Sequence, residues 1–447
     1  MFWLFKLQLP KFSGKSSRFI GEKSSSQPTH HLPKKLSIIT QFYPPDYAAT
    51  GQLIEELATQ LAALGMQIHI FTGQPGYAFQ ETAAPAKETS EGISIRRSRT
   101  SRIWSRRIRG RSLNGLLFCL RAALHLLKSA SRGEVLLLTT EPPYLLIVGY
   151  LAHLCFRVPY VCLLYDLYPD IAVQLNVVPA HHWIVRFWNW LNLLIWKNAS
   201  KVIVLSSTMK ENLTSKCPEL EEKIAVIHSW ADPNWLKPID KQENWFAQKF
   251  DLVDKFTVLY SGNMGRCHDM DTILAAAEQL KDEPIQFVFI GNGAKRQACI
   301  DKVNSLKLEN CHFLPYQKKS LLPYSLTACD LSLVSVSNGM EGLVAPSKLY
   351  GILAAGRPVA VICNAQSYLR QLVAEAKCGE AFDNGDGVGL AEFIRRLATN
   401  SQVAQTLGNA GHRYLWANFT PEIIAKQYLE TLCSTRVKNS STTPSPF

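Results

Sequence analysis

The chain holds two kinds of group suited to chemistry on a phosphorylated substrate: cations beside glycine turns, and carboxylates just past apolar runs. Tyr260-Ser-Gly-Asn-Met-Gly-Arg266 follows one apolar run and precedes a helical pattern that begins near Asp271. Gly262, Asn263 and Gly265 would let backbone amides approach a phosphate closely, and Arg266 adds a permanent charge in a planar fork. The competing reading is an ordinary strand-to-helix turn. Gly291 and Gly293 close the next run in Ile290-Gly-Asn-Gly-Ala-Lys295, but Arg296 occupies the third-glycine place of the dinucleotide fingerprint, which disfavours an NAD site. The segment from Glu341 to Pro358 carries most. There Pro346 and Ser347 open a short helix that Gly356 ends, so free amides at its start, together with Lys348, would face an anion. Glu341, just upstream, offers a carboxylate to hydroxyls such as those of a sugar. Asp166 and Asp170 follow another run and face the expected cleft, to bind acceptor hydroxyls or assist proton transfer, unless they only stabilise their own turn.

Such groups need rigid strands behind them, and the sequence supplies two sets. A chain of 447 residues is too long for one ordinary core. Residues 36–42 have a strand pattern, Leu53, Leu57, Leu61 and Leu64 then fall at helical spacing up to Gly65, and residues 67–72 give a second strand. This is one right-handed βαβ unit with Gly51 in its turn. Strand patterns at 135–139, 160–165, 201–206 and 223–228 complete a first open sheet. The rhythm breaks from 230 to about 255, the expected linker, and restarts at 256–261, 285–290, 311–314, 331–336 and 358–363. The expected fold is α/β, two Rossmann-like doubly wound domains facing a cleft, with ligands at the carboxyl ends of the strands. The expected division is a flexible basic tail over 1–34, an N-terminal acceptor domain over 35–235, a C-terminal donor-binding domain over 255–415, a C-terminal helix over 416–432 and a disordered tail over 433–447.

The formal net charge of +12 is concentrated in the first 35 residues and in 96–111, where eight Arg occur without an acid. An exposed basic loop there would attract an anionic surface. No zinc spacing, aromatic RNA-binding sheet or helix-turn-helix pattern points to nucleic acid. Eleven cysteines without a Cys-x-x-Cys pair, and no secretory signal, indicate reduced thiols in a cytosol. No run reaches the roughly 18–20 apolar residues of a membrane span. Residues 183–196 instead carry four Trp, with Arg186, Asn189 and Asn192 on one narrow strip, which suits either a lipid interface or packing against the sheet. The expected location is the cytoplasm, with peripheral attachment to the inner face of the cytoplasmic membrane.

Taken in order, Ala49-Thr-Gly51, Ser261-Gly-Asn-Met-Gly265, Gly291-Asn-Gly293, Pro346-Ser-Lys-Leu349 and Ala354-Ala-Gly-Arg-Pro358 resemble glycosyltransferase family 4. Tyr165-Asp-Leu-Tyr-Pro-Asp170 and His228-Ser-Trp-Ala-Asp232 extend the resemblance over about residues 35–430, and it is nearest to bacterial transferases of the colanic-acid and O-antigen type. It implies the GT-B fold. It also implies retaining transfer of a sugar from a nucleotide-sugar donor to a glycan or polyprenyl-linked acceptor in cell-surface polysaccharide biosynthesis. Gly51 would then lie by the diphosphate or donor sugar, Arg266 and Lys348 would offset the leaving charge, and neither a metal nor another cofactor would be needed. Two departures stand out. Gly351 occupies the place of the second of two family glutamates, the one that bonds the donor ribose, and Glu341 falls outside the strict spacing of the first. No Lys follows Arg266 in Cys267-His-Asp-Met-Asp271, where His268 is either a substitute or, on the favoured reading, a surface residue. The alternatives are a nucleotide-sugar epimerase of the same fold, whose general base the sequence does not reveal, and a non-catalytic partner protein that has lost donor binding.

Overall fold

Two largely parallel sheets carry the architecture of this computed structural model, which describes residues 34–46, 48–75, 84–98 and 108–435. The first contains β1 (Lys35–Ile39), β2 (Gln67–Thr72), β3 (Lys87–Ser90), β4 (Ile93–Arg97), β5 (Val135–Thr139), β6 (Tyr160–Leu164), β7 (Lys201–Val204) and β8 (Ile224–Val226). Their order is β3-β4-β2-β1-β5-β6-β7-β8, and only β3 runs antiparallel to its neighbour. The second contains β9 (Phe256–Ser261), β10 (Ile285–Ile290), β11 (Cys311–Leu314), β12 (Leu331–Ser335), β13 (Val359–Ile362) and β14 (Gly379–Phe382), all parallel in the order β11-β10-β9-β12-β13-β14. This is the doubly wound α/β fold expected, present twice. Each sheet starts at its middle, winds outward, then returns to wind the other way. Switch points therefore lie between β1 and β5 and between β9 and β12, and ligand crevices open at the strand ends there.

The central strands β5, β6, β10 and β12 are buried along their length, as apolar runs with helices on both faces must be. The Ala49–Ala63 helix follows from its spacing: Leu53, Ile54, Leu57, Ala58 and Leu61 all turn to the sheet, and Gly65, at φ 92°, follows its end. β4 corrects the reading of residues 96–111 as an exposed basic loop. Ile93, Ile95 and Arg97 point inward, and Arg97 donates to the Glu88 carboxylate (2.6 Å) and to the carbonyls of Pro44 (2.8 Å) and Pro85 (3.1 Å). Arg109 and Arg111 fall in the Ile108–Leu126 helix; Arg99, Arg102, Arg106 and Arg107 lie outside the described residues, as do the tail segments 1–33 and 436–447.

The chain crosses between the sheets twice. It leaves the first domain through 227–255, which includes the short Trp245–Lys249 helix. It returns after the Ser401–Asn418 helix breaks at 419–420, and the Pro421–Cys433 helix packs on Ala49–Ala63. Ile424, Ala425, Tyr428 and Leu432 are buried in the same core as β1, β5 and β6, with Trp230 edge-on to Tyr428. Each large side chain buried this way contributes about 1.5–3 kcal/mol, so the last helix is a structural part of the first domain.

Candidate active site

The turn between β9 and the Asp271–Gln279 helix is knitted to the turn after β10. Gly262 N donates to Ile290 O (2.8 Å), Met264 N to Asn292 O (2.7 Å) and Lys295 N to Met264 O (2.9 Å). A Cβ on Gly291 would come within 2.0 Å of Gly262 O, and one on Gly293 within 2.5 Å of the Met264 backbone. Both glycines also have positive φ, 136° and 145°, so no other residue fits without strain. The amides of Gly262 and Met264 are thus occupied, whereas those of Asn263, Gly265 and Arg266 have no backbone acceptor among the described residues. Arg266 is exposed and makes no ion pair among them.

Lys348, first residue of the Lys348–Ala354 helix, lies against this turn. Its Nζ is 3.8 Å from the centre of the Tyr260 ring and would be 3.5 Å from a Cβ on Gly262. That Nζ is sealed from solvent and has no hydrogen-bond partner. Burial pulls its pKa down from 10.5 to about 7. A cation so desolvated, with only a ring face for company, lacks the anion that would offset its burial. His268 is not a surface residue: Nδ1 donates to Ser335 O (2.8 Å), and burial, followed by the Lys348 charge, pushes its pKa down to about 3. It is neutral near pH 7 and supplies no second cation.

Pro346 and Ser347 precede the helix as expected, although the Ser347 side chain makes no capping bond. Glu341 accepts from Gly339 N (2.7 Å) at one oxygen and from Asn364 N (3.1 Å) at the other, which ties its loop to the end of β13 and leaves lone pairs for a ligand. At Gly351 an added Cβ would meet only Leu326 Cδ1, at 3.5 Å, so nothing steric excludes a larger residue there.

The first domain closes over this surface. Asp166 pairs with Val344 in an antiparallel bridge, and Leu167 N donates to Leu343 O (3.0 Å). Burial first, and then the Asp166 charge, raises the Cys267 thiol, so Asp166 is within electrostatic reach of the residue after Arg266. Burial lifts the Asp166 carboxyl from 3.8 to about 6. Asp170 does not share this role: it pairs with Lys216 at 2.6 Å and begins the Asp170–Gln174 helix. Beside Asp166 stands Glu141, a carboxyl missed by sequence reasoning, just past β5 at the switch point. One of its oxygens is sealed and unpartnered, and its pKa is pushed up to about 8, by burial first and then by Asp166. The Thr50 hydroxyl bonds to it. The signal in the sequence was an acid between the apolar run 135–138 and Pro142, at the carboxyl end of a central strand. Gly51 is pressed on the β1 loop, with Phe42 and Tyr43 backbone atoms 3.1 Å from an added Cβ. Among the described residues, no group of three or more His, Cys, Asp or Glu side chains is arranged to hold a metal ion.

Comparison with known proteins adds kinship to this geometry. Residues 50–235 match the family model "Glycosyltransferase Family 4", and residues 241–414 match "Glycosyl transferases group 1". The chain is 26% identical over 310 residues to a Pseudomonas aeruginosa protein named as the glycosyltransferase WbjE, across 68% of this chain and 76% of that one. It is 31% identical over 173 residues to WcaI of Escherichia coli (strain K12), named as a colanic acid biosynthesis glycosyl transferase, across 37% and 42%. The fold of Anabaena HepE, solved with UDP and glucose, matches with a TM-score of 0.67 at 17% identity, across 90% of this chain and 99% of that one.

Proposed function

Because the chain is a glycosyltransferase of the GT-B fold, with a family 4 domain followed by a group 1 domain, we propose that it moves a sugar with retention from a nucleoside diphosphate donor to a glycan or polyprenyl-linked acceptor of cell-surface polysaccharide biosynthesis. The observation that carries this reading is the sealed, unpartnered Lys348 ammonium at the glycine turn, with Asp166 across the cleft. The diphosphate lies against Lys348, Arg266 and the amides of Asn263, Gly265 and Arg266 that have no backbone acceptor among the described residues. As the bond from the anomeric carbon to the leaving oxygen breaks, its electron pair passes to the diphosphate, and these groups stabilise the charge without a metal. The acceptor oxygen bonds the carbon on the face just vacated, and its proton passes to Asp166, a stronger base than an ordinary carboxylate yet still ionised near pH 7. UDP is the first nucleotide to test, since HepE was solved with it. The experiment is a donor panel scored by nucleoside diphosphate release, with the anomeric configuration of the product read by NMR and a parallel run in EDTA. A folded sample that releases nothing from any donor sinks the reading; an inverted product or loss of activity in EDTA removes that part of it.

The acceptor domain also suits a membrane surface. The Trp183–Asn198 helix exposes Trp183, Ile184, Phe187 and Trp190 but buries Asn192, which donates to Tyr168 O (2.7 Å). That is the reverse of a water-facing helix. The Leu146–Phe156 helix, with exposed Leu151 and Leu154, packs against both this helix and Ile108–Leu126, which adds exposed Leu116, Leu120 and Leu124. No described helix is long and apolar enough to cross a membrane, so attachment would be peripheral, with basic groups adding about 1 kcal/mol each near anionic lipid. Vesicle flotation tests it: strong recovery with anionic lipid is expected, and equal recovery with neutral and anionic lipid would remove the electrostatic part.

A further inference from the structure

Glu141 has no part in the transfer just described, yet it is fixed beside the group that has. Thr140 Oγ1 accepts from the amides of Tyr165 (3.1 Å) and Asp166 (3.4 Å), so the residue before Glu141 holds the end of β6. Glu141 O accepts from Gln41 N (3.2 Å), which locks the same corner to the end of β1. The groups whose charge or hydroxyl reaches the Glu141 carboxyl are Asp166, Asp46 and Thr50, and its own charge is felt by Tyr165 and Tyr168. None of these is a cation. A sealed carboxyl whose charged neighbours among the described residues, Asp166 and Asp46, are both carboxylates cannot ionise cheaply, so Glu141 keeps its proton.

We infer that Glu141 is a positioning residue of the acceptor side: its carboxyl keeps its proton and leaves Asp166 as the ionised member of the pair, so that the proton of the attacking hydroxyl has one destination between the two. The functional half of this inference rests on the glycosyl-transfer reading; the proton inventory does not. Burial acts on both carboxyls, but Glu141 also feels Asp166, so the first ionisation belongs to Asp166 and the second to Glu141.

The test is infrared difference spectroscopy of the full chain over a pH series, with no ligand present. The wild type should show a protonated-carboxyl carbonyl band that persists past neutrality and disappears near pH 8. Glu141→Gln should abolish that band. Asp166→Asn should move its midpoint down by removing the neighbouring charge. Thr50→Val should move it up by removing a hydroxyl bond to the ionised form. A band that survives in Glu141→Gln, or a midpoint that ignores Asp166→Asn, overturns the inference, and the latter variants keep it testable if Glu141→Gln does not fold. With a donor that passes the panel, held saturating so that the Lys348 titration does not enter, the wild-type kcat/KM for the acceptor should fall on the alkaline side through the same midpoint, and Glu141→Gln should lose that limb; an unchanged limb overturns the functional half alone.

Discussion

In the transfer proposed, Lys348 and Arg266 meet the same leaving group in different ways, one sealed and one exposed. Replacing either by Ala should cut turnover at least about tenfold, or ~1.4 kcal/mol, with the fold intact by circular dichroism; normal turnover in both variants would discard the site. Lys348 has a pH signature of its own. Its pKa is lowered to about 7 in the free protein, and a bound diphosphate favours the charged form, so above that pH binding must take up a proton. UDP affinity should therefore weaken as pH rises above about 7, by at most about tenfold per pH unit. Calorimetry in buffers of different ionisation enthalpy should find close to one proton absorbed by the wild type and none by Lys348→Met. Equal uptake by both would assign the proton elsewhere. These residues were legible in the sequence because glycine turns and helix starts are local grammar. Glu141 was not, since its meaning depends on Asp166 and Thr50, which only the strand order brings to one corner.

The apolar runs of the central strands were readable because parallel strands buried on both faces leave an uninterrupted stretch. The expected strand at 36–42 ends earlier, at Ile39, where the chain turns away to form the loop pressed on Gly51. β4 was hidden because its inward positions alternate in a run that reads as basic, and Arg97 sits inside by virtue of Glu88 on β3 and the carbonyls of Pro44 and Pro85. β14 is short and partly exposed, and begins at Gly379 because an added Cβ would lie 1.7 Å from Val359 O. The paired glycine turns allow a prediction about elements. Gly291→Ala must force the β9 and β10 turns apart, costing on the order of 1–3 kcal/mol of stability and weakening nucleotide binding together. Denaturant midpoints and UDP titration check it, and a variant unchanged in both would show that the turns need not touch.

Two further contacts hold the halves of the molecule together, Lys319 to Glu56 (3.4 Å) and His228 Nδ1 to Tyr350 Oη (3.1 Å), while Trp230 Nε1 anchors the start of the crossing to Glu56 of the first domain (3.0 Å). The existence of two α/β domains could be read from a rhythm that stops and restarts. The return of the last helix could not, because an amphipathic pattern does not state which domain it will cover. Tyr428 allows a test. Its side chain is fully buried but its hydroxyl has no partner, so Tyr428→Phe should keep or raise stability while Tyr428→Ala loses about 3–5 kcal/mol. Chemical denaturation of both variants decides the matter; a costly Tyr428→Phe would mean that the hydroxyl is satisfied in solution. The crossing helix also bears on recombination. The two family matches end at 235 and 414, and the Pro421–Cys433 helix lies outside both while completing the core of the first. The second α/β domain is consequently an insert within its neighbour rather than a terminal cassette. A chimera meant to change donor specificity should exchange the stretch between those two crossings and leave the final helix with its native N-terminal half.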